Sequence, residues 1–280
     1  KKSLKLTSTR TKEIISIAQF PAGKYTVECS ISHPLQKTVL TAQRDFHIFR
    51  ELPGKGLFDN LTEEVPAPWT PVEIDSKNRV NVWGRTYIFG NHLLPESIIA
   101  RGEEILSAPI FYEVQLAGEK PLKIEKGTVR ILEKKPAVCK METTAKSSQI
   151  SIRQIVTIEY DGMMRFDVDV SSSKPIMRLA LNVPYLKDRA KLFQAGAFRG
   201  KFTSYMMDAK EITPDFSWTS EYLYPTFWIA DMHGGLSWFA ATDRTWVVDV
   251  GREKIKVTDS GFIINFINTD IDTPSDIKFT

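Results

Sequence analysis

Apolar and polar residues alternate with a period of two along most of this chain. That period sends successive side chains to opposite faces of an extended strand, so it predicts β-structure almost throughout. The alternating or β-rich runs are Lys24 to Ser32, Thr38 to Phe49, Arg79 to Phe89, Pro109 to Leu116, Gly127 to Leu132 and Gln149 to Tyr160. They continue with Met163 to Ser171, Ile176 to Pro184, Phe227 to Asp231, Leu236 to Ala241 and Gly261 to Ile267. The best helical candidates, Leu186 to Gln194 and Ser97 to Leu106, are short and lack a sustained apolar face. The chain reads as all-β.

Turn chemistry falls between the runs. Asp161-Gly162 separates two of them as a tight hairpin requires, because glycine accepts the positive φ of such a turn. Gly118-Glu119-Lys120-Pro121 and His233-Gly234-Gly235 serve the same purpose, which predicts an antiparallel meander over most of residues 72–280. Roughly fifteen short strands in one antiparallel domain imply a large sandwich of stacked sheets.

Residues 1–50 differ. Ile17-Ala-Gln-Phe-Pro-Ala-Gly-Lys-Tyr25, followed by two long alternating runs, matches the second half of an immunoglobulin-like sandwich, where a tyrosine after a Pro/Gly corner bonds back to the backbone. Such a domain needs about 100 residues, so the chain is expected to start inside one. Residues 51–71 form a Pro/Gly-rich linker in which Leu57, Phe58 and Trp69 are expected to pack on a surface. The other end, Asp276-Ile-Lys-Phe-Thr280, is strand-like and stops without a cap. The expectation is a piece of a longer polypeptide.

Composition removes several classes of function. The net charge of +3 is dispersed, with Lys and Arg interleaved among Asp and Glu, so no basic stripe for nucleic acid exists. No apolar stretch approaches the roughly 18 to 20 residues that span a bilayer, so no membrane span is expected. The chain opens at Lys1 without a signal-peptide pattern. Its two cysteines, Cys29 and Cys139, each sit in an alternating apolar row and read as small buried hydrophobes rather than ligands, with no disulfide expected between them.

Catalytic patterns are weak. Hydrolysis by paired carboxylates needs two acids at a fixed separation in a cleft. Glu63-Glu64 and Glu103-Glu104 read as solvated turn residues, and no Asp-Glu step occurs. Asp231, beside the Gly-Gly turn, reads first as a turn-forming carboxylate. His33, His47, His92 and His233 are too widely spaced for a zinc pattern. No metal site or cofactor is therefore expected, and calcium held by loop oxygens is the one ion left open. There is no Gly-x-Ser-x-Gly, and Gly54-Lys55-Gly56 lacks the strand and helix of a phosphate loop.

Aromatics remain. Four of the six tryptophans, Trp218, Trp228, Trp238 and Trp246, fall between Ser217 and Trp246. Flat aromatic faces either fill a sandwich core or stack on the C–H face of a sugar ring. If only one face of the Phe227 to Ala241 hairpin is buried, Trp228 or Trp238 faces away from the core. Trp218, Tyr222 and Tyr224, in the stretch read as a loop before it, are candidates for a ligand-facing rim.

At Val65-Pro-Ala-Pro-Trp-Thr-Pro-Val-Glu-Ile74, Val82-Trp-Gly-Arg-Thr-Tyr-Ile-Phe-Gly90, Leu94-Pro95 and Gly102-Glu-Glu-Ile-Leu-Ser-Ala-Pro109, the chain resembles the accessory β-region of glycoside-hydrolase-like proteins related to glycoside hydrolase family 123. Thr157-Ile-Glu-Tyr-Asp-Gly-Met163 and Trp228-Ile-Ala-Asp231 with Gly235-Leu-Ser-Trp-Phe239 extend the likeness from about residue 52 to the end. The resemblance implies an immunoglobulin-like module, a large sandwich similar to the galactose-mutarotase type, and a following (β/α)-barrel. It also implies a secreted or periplasmic bacterial setting. In such proteins the catalytic Asp-Glu pair lies in the barrel and acts on N-acetyl-hexosaminides, so no catalytic residue carries over here.

Three readings stand. The chain is the non-catalytic sandwich of a glycoside-hydrolase-like protein, supporting the barrel and contacting glycan through Trp218, Tyr222, Tyr224, Trp228, Asp231, His233 and Trp238. Alternatively the sandwich itself is catalytic on sugars, mutarotase- or lyase-like, with His233 or His92 as acid/base beside a carboxylate such as Asp231. The third is a purely structural module whose tryptophans fill the core.

Overall fold

The computed structural model describes residues 20–33, 36–48, 64–199, 203–206, 209–240, 242–271, 273 and 276–279. Ile17, Phe49, the linker through Glu63 with Leu57 and Phe58, Gly54-Lys55-Gly56 and Thr280 lie outside the described residues. Residue contacts divide the chain into two compact units, Lys1–Asn60 and Leu61–Thr280.

In the first unit β1 (Gly23–His33) and β2 (Gln36–Ile48) form an antiparallel pair with Tyr25 opposite Phe46. The Tyr25 hydroxyl donates to the Pro21 carbonyl at 2.8 Å, which is the bond back to the backbone that the sequence predicts. Its ring stacks on Phe46 at 5.7 Å. Cys29 departs from expectation, because it is exposed, as is its row neighbour Val27 at 44 %. A two-stranded ribbon cannot cover both of its own faces, so alternation there does not imply burial.

The second unit is all-β, with no helix among the described residues. In chain order its strands begin with β3 (Glu73–Ile74), β4 (Arg79–Val82), β5 (Arg85–Ile88), β6 (Ser97–Ala100), β7 (Glu103–Glu104), β8 (Phe111–Leu116) and β9 (Leu122–Ile124). Next come β10 (Thr128–Lys134), β11 (Val138–Lys146), β12 (Ile150–Glu159), β13 (Met164–Ser172), β14 (Ile176–Pro184), β15 (Leu192–Arg199), β16 (Thr203–Met206) and β17 (Lys210–Glu211). The last are β18 (Ser217–Ser220), β19 (Thr226–Ala230), β20 (Gly235–Phe239), β21 (Val247–Val248), β22 (Ile255–Thr258), β23 (Gly261–Asn268) and β24 (Asp276–Phe279).

Four sheets result. A meander sheet runs β10-β11-β12-β13-β24, and a seven-stranded central sheet runs β18-β22-β23-β14-β8-β9 with β21 alongside β23. A tryptophan sheet runs β16-β15-β19-β20 with β17 on β15, and an entry sheet runs β3 to β7 in sequence order. All pairings are antiparallel except β21 with β23.

Meander and central sheets meet face to face. Ile152, Gln154, Val156 and Ile158 share one face of β12 and are fully buried. Gln154 accepts a hydrogen bond from the Tyr112 hydroxyl of β8 at 3.2 Å, and Phe266 of β23 stacks on Phe279 of β24 at 4.2 Å. Each large aliphatic side chain sequestered this way is worth about 1.5–3 kcal/mol. The Asp161-Gly162 turn joins β12 to β13 as predicted. Gly162, at φ +87°, donates to the Glu159 carbonyl at 2.9 Å, and Asp161 Oδ1 accepts from the Met163 amide at 2.9 Å.

Several local expectations change. Arg79 to Phe89 is a hairpin rather than one strand, turning at Gly84 with φ +70°. Ser97 to Leu106 is the β6–β7 hairpin, turning at Arg101-Gly102. Leu186 to Gln194 makes one turn, in which the Ala190 amide donates to the Leu186 carbonyl at 3.1 Å, and then becomes β15, whose Phe193 and Ala195 point into the core. Trp218 lies on strand β18, not in a loop. Trp69, at the end of the linker, packs edge-on against Tyr160 at 5.6 Å.

Candidate functional site

The stretch after β18 folds back on itself through Ser220. Its hydroxyl donates to the Tyr222 carbonyl at 3.0 Å and accepts from the Tyr222 amide at 3.0 Å, while the Ser220 carbonyl accepts from the Lys254 amide at 2.8 Å. This turn leaves Tyr222 77 % exposed. Tyr224 stays half-buried, packed edge-on against Trp218 at 5.1 Å, and Trp218 leans on Phe193 at 4.9 Å. The three aromatics of the proposed rim therefore come together.

They line a cleft of about 770 Å³ whose other wall is the Gly251-Arg252-Glu253 turn and Asn268 of β23. Arg252 Nη1 donates to Asn268 Oδ1 at 3.1 Å, and the same guanidinium pairs with Asp270 and approaches Asp249 at 3.8 Å. The Asp249 carboxyl is held below its ordinary range by the Thr269 hydroxyl at 2.7 Å and the Asp270 amide at 3.0 Å, against some burial, with Arg252 adding to the effect. Arg252 is thus oriented by two carboxylates. Glu221 and Glu253 also line the cleft. The result is an aromatic surface facing charged and amide groups, which suits a ligand with a C–H face and a rim of hydroxyls.

The remaining candidates sit elsewhere. Asp231 closes the β19–β20 turn: its Oδ1 accepts from the His233 amide at 2.7 Å and the Gly234 amide at 2.9 Å, and its Oδ2 lies 2.9 Å from Arg189 Nε. His233 is exposed and meets Asp231 through its backbone N–H. Trp228 occupies the opposite face of β19 from buried Phe227 and Ile229, and its Nε1 donates to Gln194 Oε1 at 3.0 Å. Trp238 is half-buried, stacked on Phe227 at 5.3 Å beside Trp246 at 6.1 Å.

His92 is where a histidine and carboxylates do converge. Its Nδ1 lies 2.7 Å from Glu96 Oε2, and its Nε2 lies 3.4 Å from Glu125 Oε1 and 2.6 Å from Lys126 Nζ. Lys123 first, with His92 assisting, holds the Glu125 carboxyl below its ordinary range despite burial. The ring is only 3 % exposed. Among the described residues no group of three or more His, Cys, Asp or Glu side chains is placed to hold a metal ion.

Sequence reasoning missed Glu221, which stands beside Tyr222 but carries no pattern of its own, and Arg252, Glu253 and Asn268, which are distant in the chain until β18, β22 and β23 pair. The one local signal is Gly251, whose φ of +86° makes the turn.

Compared with known families, residues 72–246 match the model described as glycoside hydrolase 123, third domain. No curated protein matches the chain.

Proposed function

The chain belongs to the glycoside hydrolase 123 third-domain family, and from that membership we propose that it is the non-catalytic β-sandwich portion of a carbohydrate-associated, glycoside-hydrolase-like protein. In this reading it supports a catalytic barrel on the same polypeptide, in a secreted or periplasmic bacterial setting, and contacts glycan itself without a cofactor. The observation that carries the glycan contact is the cleft that gathers Trp218, Tyr222 and Tyr224 opposite Arg252 and Asn268. A pyranose stacked on the exposed Tyr222 ring would leave its hydroxyls within the polar half of the cleft.

The test is a calorimetric and NMR titration with oligosaccharides, including N-acetylgalactosamine-containing glycans. Saturable binding that Tyr222→Ala weakens at least about tenfold, the worth of one good contact, supports the reading. Flat titrations across the panel leave a scaffold and remove the glycan contact.

A second reading, catalysis by the sandwich itself, draws on the meeting of His92 with Glu96 and Glu125. The sealed ring counts against it, since a general acid or base must reach its substrate. Sugar turnover by the native chain that His92→Asn abolishes while thermal unfolding stays unchanged would establish it.

A further inference from the structure

A second cavity, of about 460 Å³, lies where β20, the last strand of the tryptophan sheet, meets β13 and β24 of the meander sheet. Its volume falls in the range of small-molecule pockets. The walls are apolar and largely aromatic: Met164 and Phe166 from β13, Leu181 from β14, Trp238 from β20, Trp246 and Phe266.

The few polar groups there are mostly committed. The Tyr87 hydroxyl donates to the Gly162 carbonyl at 2.7 Å, the Ser237 hydroxyl to the Phe227 carbonyl at 3.4 Å, and Asp161 Oδ1 accepts from the Met163 amide at 2.9 Å. Arg85 is different. It is exposed, its Nη1 donates to the Asp161 backbone carbonyl and its guanidinium also hydrogen-bonds the Tyr87 side chain, yet among the described residues no carboxylate lies within ion-pair distance of it. A cation therefore stands at the opening of an apolar, aromatic cavity.

This chemistry rejects a sugar. Each hydroxyl buried against such walls without a partner costs about 1–3 kcal/mol. It fits a ligand with an apolar body and a single negative end, because guanidinium pairs well with carboxylate and sulfonate oxygens and the walls offer dispersion and area burial to the rest. We infer that this cavity binds an amphipathic monoanion, an alkyl or aryl carboxylate or sulfonate, with its body between Phe166 and Trp238 and its charge at Arg85. The site is separate from the Tyr222 cleft and does not depend on the glycan reading.

The experiment titrates the whole chain with dodecanoate, with dodecanol as its neutral twin, and with a terminally brominated undecanoate as quencher. Saturable one-to-one binding of dodecanoate is expected. Arg85→Gln should weaken dodecanoate at least about tenfold, the loss of a charge-assisted bond, and leave dodecanol within about twofold. The brominated acid should quench tryptophan emission, and Trp238→Phe should reduce the quench while far-UV circular dichroism stays unchanged. No saturable binding, equal weakening of acid and alcohol by Arg85→Gln, or sedimentation with phosphatidylglycerol vesicles without binding of free dodecanoate would each overturn the assignment.

Discussion

Arg189 Nε and Asp231 Oδ2 lie 2.9 Å apart, with the two side chains only 11 % and 12 % exposed. Arg189 comes from the segment between β14 and β15, Asp231 opens the turn that follows the first strand of the tryptophan hairpin, and Glu103 of β7 also pairs with Arg189. One guanidinium thus ties the tryptophan sheet to the entry sheet.

Removing the buried partner strands a charge, so Asp231→Ala should destabilise the fold by about 3–5 kcal/mol. Glu103 is 60 % exposed, and Glu103→Ala should cost only about 0–1 kcal/mol. Urea unfolding of the two variants checks this. Equal losses would mean that the pair does not secure the junction.

The pH dependence follows from the same carboxyl. Burial pushes Asp231 upward, but the His233 and Gly234 amides and the Arg189 guanidinium together outweigh it and hold the group below its ordinary value of 3.8. A depressed folded value means that the carboxylate's stabilisation is present above pH 3.8 and is lost as the pH falls through the folded value. The native chain should therefore lose stability on the acid side of pH 4, about where free Asp protonates. Asp231→Asn should start less stable and show a shallower acid decline in thermal melts from pH 7 to pH 2.

Trp218 and Tyr222 line the same cleft but should answer mutation differently. Trp218 packs on Phe193 and Tyr224, so Trp218→Ala should cost about 3–5 kcal/mol through the void it leaves. Tyr222 is 77 % exposed, and Tyr222→Ala should change stability by less than about 0.5 kcal/mol. Chemical denaturation of both separates a ligand contact from a core contact; a large loss at Tyr222 would make it structural.

The cysteines give a reactivity contrast. Burial pushes the Cys139 thiol up to about 11, with Lys134 opposing and Glu133 reinforcing the rise. Cys29 is exposed. Iodoacetamide at pH 8 should label Cys29 in the native chain and reach Cys139 only after denaturation, as read by peptide mass spectrometry.

Period-two alternation and turn residues were enough to read the β class, the Asp161-Gly162 hairpin and the Tyr25 bond to Pro21 from the chain alone. Of strand β11 only the apolar row around Cys139 was legible, because that inward row continues from Met141 to Thr143, a hydroxyl; the fold satisfies it with a 2.8 Å bond to the Leu93 carbonyl, which no local pattern announces. Strand β15 was obscured because Leu186 to Ala190 does begin a turn, and only the pairing of Phe193 with Ile229 makes the residues after it a strand. The aromatic half of the cleft was legible because its residues are close neighbours in sequence. The polar half was not, since Arg252 and Asn268 reach it only through long-range pairing.

Strand β23 sits between β22 and β14 in the middle of the central sheet, and the Thr273 hydroxyl donates to the Ile176 carbonyl at 2.9 Å across 97 residues. During synthesis β14 therefore leaves the ribosome long before its partner, with one backbone edge unpaired and a ready template for intermolecular pairing. The nascent chain remains vulnerable until β23 has emerged and paired with β14. Yield in a cell would then be governed by how quickly β23 follows β14 out of the ribosome and by chaperones that shield that edge meanwhile, more than by the strength of the finished core.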